Sequence, residues 1–194
     1  MTISNDIAPT RLELGESCVN LRPMERGDRD AILAFAQSLP AHDLLFLQRD
    51  IRQEKVVSAW IDQTEEGGSI SSLLAVDAEG QVHGCTALVR DRLSWSSHVA
   101  DIRILVGVDS RSMGLGRLLA MHCVDQALGE DVEKLTVQMT PDQEGALRMF
   151  EELGFRPEAL LRDQVRDAAG ATSDIVIMAL NLERYASTRT AYSL

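Results

Sequence analysis

The sequence predicts an α/β (α+β) domain: a mixed, mostly antiparallel central sheet of about seven strands, with helices on both faces. Three observations carry this. Short apolar blocks of strand type are interleaved with stretches whose apolar residues recur at helical spacing. A hairpin and two helices come first, then three antiparallel strands; the last of these opens a strand–helix–strand–helix run that ends in a second hairpin. The length, 194 residues, suits one domain with a full core. The expected divisions are a flexible arm over 1–9, one domain over 10–182 and a polar, frayed tail over 183–194.

Residues 10–22 read as the first hairpin, with Arg11-Leu-Glu-Leu14, a turn at Gly15-Glu16 and Cys18-Val-Asn-Leu-Arg22; Pro23 ends the strand. Asp28 is placed to cap a helix whose apolar face is Ile32, Phe35, Ala36 and Leu39, and which stops at Pro40. Residues 41–51 are unusually apolar for a connection, so they either tuck into the core or line a ligand cleft. A second helix turns Val56, Val57, Trp60 and Ile61 inward and closes at Gly67-Gly68. Strands follow at 70–76 and 82–90, joined by a turn at Asp77-Ala-Glu-Gly80. After the polar loop at 93–97 and the central strand and helix described next, Gly129 is a helix cap and 135–139 a strand. Pro141 and Asp142 start a helix with Ala146, Met149, Phe150 and Leu153 on one face, ended by Gly154. Strands at 158–165 and 174–180 close the fold around a turn at 167–170. The crossover over 99–140 is expected to be parallel.

The chain is organised around Asp101 to Leu119. Ile102, Ile104, Leu105 and Val106 form a buried strand, Ser110 to Gly116 a glycine-containing turn, and Leu115, Leu118, Leu119, His122 and Cys123 the start of a helix. Unpaired N–H groups and the positive end of the helix dipole make such a turn an anion site. Gly114 and Gly116 allow close approach, and Arg111 and Arg117 add positive charge at either end. Two glycines before a helix also serve plain turn chemistry.

The formal charge of −11 argues against nucleic-acid binding and is compatible with a cationic acceptor or simply with a self-repelling cytoplasmic protein. No apolar run reaches about 18 residues, so no membrane span is expected; Met1 to Ile7 carry no secretory pattern. The three cysteines lack paired spacing, which points to reduced thiols and no metal site. Trp60 and Trp95 are expected to pack rather than to stack on a ligand, and His42, His83 and His98 have no metal-ligand spacing.

The segment Val106-Gly-Val-Asp-Ser-Arg-Ser-Met-Gly-Leu-Gly116 resembles the V-x-x-x-x-[RQ]-x-x-G-x-[GA] loop of the GNAT superfamily of N-acetyltransferases. Gln143-Glu-Gly-Ala-Leu-Arg-Met-Phe-Glu-Glu-Leu-Gly-Phe155 is similar to that family's N-x-x-A-x-x-x-Y-x-x-x-G-F segment, and the element order agrees. The resemblance spans roughly residues 17–182 and implies acetyl-CoA as co-substrate, bound beside a splayed parallel strand pair. It assigns contacts with the co-substrate's pantetheine arm to Ile104, Leu105 and Val106. It assigns the pyrophosphate loop to Arg111, Ser112, Met113, Gly114, Leu115, Gly116 and Arg117, and further contacts to Gln143 and Phe150.

Asp101 stands where many relatives carry a catalytic Glu, so it is the candidate base. Arg103, on the same strand face, makes a structural ion pair the alternative. Phe150 takes the place of the family's acid Tyr and has no proton to give, so packing beside the co-substrate's sulfur is its implied role. The implied activity is direct transfer of an acetyl group to an amine in a ternary complex; the acceptor is a small amine, an amino acid, or a protein lysine or N-terminus. The alternative is a non-catalytic acyl-CoA sensor. The resemblance also allows a homodimer.

Overall fold

The computed structural model describes residues 10–14 and 17–191. Among them run β1 (Thr10–Leu14), β2 (Ser17–Pro23), α1 (Arg29–Ser38), α2 (Glu54–Glu65), β3 (Ile70–Val76), β4 (Val82–Val89) and β5 (Val99–Val106). Then come α3 (Leu115–Leu128), β6 (Lys134–Met139), α4 (Glu144–Glu152), β7 (Arg156–Arg166), β8 (Thr172–Asn181) and α5 (Leu182–Ala191). The strands form one sheet of eight in the order β1-β2-β3-β4-β5-β6-β8-β7. Only β5 and β6 pair in parallel, as their helical crossover requires.

Each face of the sheet buries its own core. On one, Ile32 and Phe35 of α1 and Val57 and Ile61 of α2 cover Leu74, Cys85 and Leu105. On the other, Cys123 and Val124 of α3 and Phe150 of α4 cover Ile102, Leu135, Val137 and Met178. The approach of α3 to the sheet depends on Gly84: a Cβ there would lie 3.0 Å from the Leu105 carbonyl oxygen and 3.1–3.2 Å from Leu119 and Leu115.

Several sequence expectations are corrected. Asp28 makes no side-chain cap on α1. Its carboxylate is taken by Arg22, at 2.6 and 2.8 Å, and by the Glu25 N–H at 2.8 Å. Burial pushes the Asp28 carboxyl up, but the Arg22 fork and that N–H pull it below its ordinary value. The helix expected from Pro141 begins at Glu144, because the Gln143 Oε1 accepts the Thr140 N–H (3.3 Å) and closes a turn first. Gly129 caps α3 as expected, with φ −79°, so this position does not require glycine's left-handed freedom. Trp95 stands fully in solvent instead of packing. The tail is helical to Ala191. Asn181 Oδ1 accepts the Arg184 N–H (2.8 Å), Tyr185 packs against the α3 side, and Arg189 pairs with Asp125 at 3.0 Å. Residues 1–9, Gly15-Glu16 and 192–194, where the arm, the first turn and the end of the tail were expected, lie outside the described residues.

Candidate active site

β5 and β6 are paired only from Val99 opposite Lys134 to Ile102 opposite Val137. Beyond that both strands continue, to Val106 and Met139, without facing each other. The sheet therefore opens a wedge at its middle. β5 stays joined to β4 throughout, and the Gly107 N–H donates to His83 O at 2.8 Å. Backbone groups alternate sides along a strand, so those of Leu105 also turn to β4, while those of Ile104 and Val106 turn into the wedge. The sequence assigns all three residues to one row of contacts. The register leaves the backbone of two of them unpaired by β6, and the Val106 carbonyl accepts from Arg111 Nε and Nη2, both at 3.4 Å.

A cavity of about 680 Å³ occupies this wedge, lined by Ile104, Leu105 and Val106, by Ser112, Gly114 and Gly116, and by Gln143 and Phe150 across from them. Gly114 is the α3 N-cap at φ +86°, a conformation that L side chains rarely adopt, and Ser112 lies at φ +62°. The first helical bond there is Leu118 N–H to Gly114 O at 3.1 Å, so the preceding N–H groups point past the helix start. Arg111 and Arg117 also line the wedge. Arg117 reaches Glu152 at 2.7 Å, and Arg111 contacts Val106 O at 3.4 Å. Met113 is exposed beside the loop, and Leu115 is buried beneath it against the sheet. Phe150 is 3 % exposed, its ring edge-on to Phe155 with centroids 5.0 Å apart.

Two residues of the 41–51 segment make contacts on this cleft that the sequence does not announce. The 3-10 turn Ala41–Leu44 lies at its edge, and both His42 and Asp43 line it. His42 Nε2 meets Asp142 Oδ2 at 2.8 Å and Thr140 Oγ1 at 3.3 Å, tying the turn to the β6 side. Thr140 and His42 hold the Asp142 carboxyl below its ordinary value. Asp43 pairs with Arg111, tying the same turn to the glycine loop. These partners are 100 and 68 residues apart in sequence, so no local pattern could announce them. The apolar 41–51 segment does both things expected of it: Leu44 and Ile51 are buried, and Phe46 lines the cleft.

A second cavity, of about 710 Å³, lies on the sheet face that α2 covers and has Leu105 as a lining residue in common with the first. Leu47, Ile51, Val56, Trp60 and Ile70 give it apolar walls, while Arg49, Glu66, Asp91 and Arg103 are its charged groups. Cys85 also lines it, but burial pushes this thiol up to about 12, so it is not a nucleophile at neutral pH. Asp101 lines neither cavity. Its Oδ2 accepts from Arg103 Nε at 3.2 Å and its Oδ1 from the Thr136 hydroxyl at 3.0 Å. The ion pair that the sequence held as the alternative for Asp101 is thus formed.

The fold and site define an α/β protein whose central sheet opens into a cleft that ends at a glycine loop and a helix start, with a second pocket that shares Leu105 as a lining residue. The chain belongs to the acetyltransferase (GNAT) family, whose model matches residues 37–155. It is 34% identical over 77 residues to a ribosomal protein bS18-alanine N-acetyltransferase of Salmonella typhimurium; that match covers 40% of this chain and 51% of the relative, about half its length. The fold is shared with a GNAT-family acetyltransferase of Streptococcus pneumoniae (18% identity, TM-score 0.70, covering 84% of this chain and 99% of that one). It is also shared with a spermidine N-acetyltransferase of Vibrio cholerae solved with CoA and spermine (17% identity, TM-score 0.71, 86% and 97% coverage). No helix among the described residues is long and apolar enough to cross a membrane.

Proposed function

We propose that this protein transfers an acetyl group from acetyl-CoA to an amine, with the two cavities, which share Leu105, as donor and acceptor sites. The observation that carries the reading is the wedge between β5 and β6, ending in the Ser112–Arg117 loop at the start of α3. Its residues fit the donor. The N–H groups at the helix start, with Arg111 and Arg117, face a pyrophosphate. The backbone groups of Ile104 and the N–H of Val106, which β6 leaves unpaired, extend a strand's hydrogen bonding to the amides of a pantetheine arm. Acetyl-CoA supplies an activated thioester carbonyl; the Val106 N–H is placed to stabilise negative charge on that oxygen.

The acceptor enters from the second cavity and meets the donor at Leu105. It must attack as the free base. An alkyl amine of pKa about 10.4 is mostly protonated at pH 7, which costs about 4–5 kcal/mol, whereas an α-amine near 8 costs about 1–1.5 kcal/mol. Asp101 lies four residues before Leu105, about 13 Å along the strand, too far for direct contact with an amine attacking there. Its place is to hold Arg103. The proton passes to cavity water, with Glu66 and Asp91 as lining carboxylates. The departing thiolate needs little help, since a thiol's pKa is only about 8.5.

Calorimetry with coenzyme A and thiol release across an amine panel test this. Binding with turnover is expected. Binding without turnover of any amine would establish the sensor reading, and no binding would exclude both. Asp101→Asn is expected to keep kcat and its pH profile within about threefold while raising the acceptor KM. A fall in kcat of about 10²-fold at unchanged KM would make Asp101 the base.

A further inference from the structure

Arg103 is an uncommon residue for the middle of a central strand. Its side chain is 22% exposed and faces the acceptor cavity beside Leu105, against the apolar wall that includes Trp60 and Ile70. The Nε–H to Asp101 is its one hydrogen bond among the described residues. The two Nη groups, which form the end-on fork of a guanidinium, are therefore open to the cavity. Every buried side-chain nitrogen and oxygen among the described residues has a partner, so these groups are solvated rather than sealed off. Asp101 is fixed in turn by Thr136 on β6. The guanidinium is thus held from behind at Nε and presents its planar fork forward, the geometry that pairs bidentately with a carboxylate. Glu66 and Asp91 line the same cavity and complement an ammonium.

We infer that Arg103 is a specificity residue which binds a carboxylate on the acceptor, so that the preferred substrates are amino acids with an apolar side chain rather than polyamines or simple amines. This rests on the transferase reading above and narrows it. A zwitterion matches a cavity with both signs of charge, and the apolar walls take its side chain. A polyamine would place a second ammonium against the Arg103 fork, where like charges repel. Asp101 and Thr136 act as positioning residues for that fork.

Matched acceptors test this with the full chain and acetyl-CoA: L-phenylalanine against phenethylamine, L-leucine against isopentylamine, with spermidine and a C-terminally amidated peptide alongside. A preference in kcat/KM of about 10-fold or more for the carboxylate member of each pair is expected. Arg103→Met should raise the KM for phenylalanine about 10- to 100-fold and leave phenethylamine nearly unchanged, the loss expected for a charge-assisted pair. Arg103→Lys should restore part of it. If Arg103→Met does not fold, Arg103→Lys and the titration of the acetylated products decide, because the lower basicity of an α-amine by itself favours the amino acid of each wild-type pair. Equal or better turnover of the decarboxylated amines, spermidine or the amidated peptide overturns the inference, as does a carboxylate preference that survives Arg103→Met. Titration of N-acetyl-L-phenylalanine against N-acetylphenethylamine reads the same contact without turnover. Tighter carboxylate binding that depends on Arg103, in a protein that acetylates nothing, would keep the carboxylate site and overturn the transferase reading alone.

Discussion

Arg111→Ala is expected to weaken coenzyme A binding by about 10- to 100-fold, and Asp43→Asn to tighten it a few-fold. Arg111 opens the glycine loop and already has an anionic partner in Asp43. A pyrophosphate in the loop competes with that carboxylate for the same guanidinium. Losing a charge-assisted contact to phosphate costs about 1.5–3 kcal/mol, which is roughly 10- to 100-fold in Kd. The Asp43 pair has an Arg111 side chain that is 43% exposed, so removing it relieves competition by no more than about 1 kcal/mol. Calorimetry on both variants, repeated at high salt, reads the two signs; salt should shrink both effects. Equal weakening by both substitutions would mean that Asp43 builds the loop rather than competing for Arg111.

Phe150→Ala is expected to destabilise the fold by about 3–5 kcal/mol, as for other buried aromatic truncations. The ring is 3% exposed, stacks edge-on with Phe155 and is part of the core beneath α3 and α4. It also lines the donor cleft. Its truncation opens a void that joins the cleft, so coenzyme A affinity should fall together with stability. Denaturant unfolding measures the first effect and calorimetry the second. A loss below about 1 kcal/mol would show that α4 collapses to fill the space. Phe150→Tyr keeps the ring and adds the hydroxyl that the family pattern carries. The rate is expected to stay unchanged, because the thiolate leaves unaided; an increase in kcat would show that thiolate protonation limits the reaction.

The two predictions draw on different parts of what the sequence made legible. Arg111, Gly114 and Gly116 stand out because a strand, a turn and a helix start are local events, written in consecutive residues. Phe150 stands out through its helical spacing with Ala146, Met149 and Leu153. The contacts of Asp43 and its neighbour His42, and the cavity beside Arg103, leave no such trace. Asp43 meets Arg111 across 68 residues and His42 meets Asp142 across 100. The start of α4 differs for a local reason: the Gln143 side-chain oxygen accepts the Thr140 N–H, and neither Pro141 nor Asp142 signals that.

Sequence alone determined the order of strands and helices from β1 to β8, though not α5, and with it the glycine loop that starts α3 and the family to which they correspond. Side-chain periodicity and turn chemistry act over a few residues and need no partner. Tertiary structure decided the rest. It fixed where β6 stops pairing with β5, and hence which backbone groups stand open. It set Asp101 against Arg103 and Thr136 instead of into a cavity, and left the Arg103 fork facing the pocket. Those outcomes depend on register and on which distant surfaces meet. A one-dimensional pattern that placed Asp101 and Arg103 on the same face could not say which of the two would line a cavity.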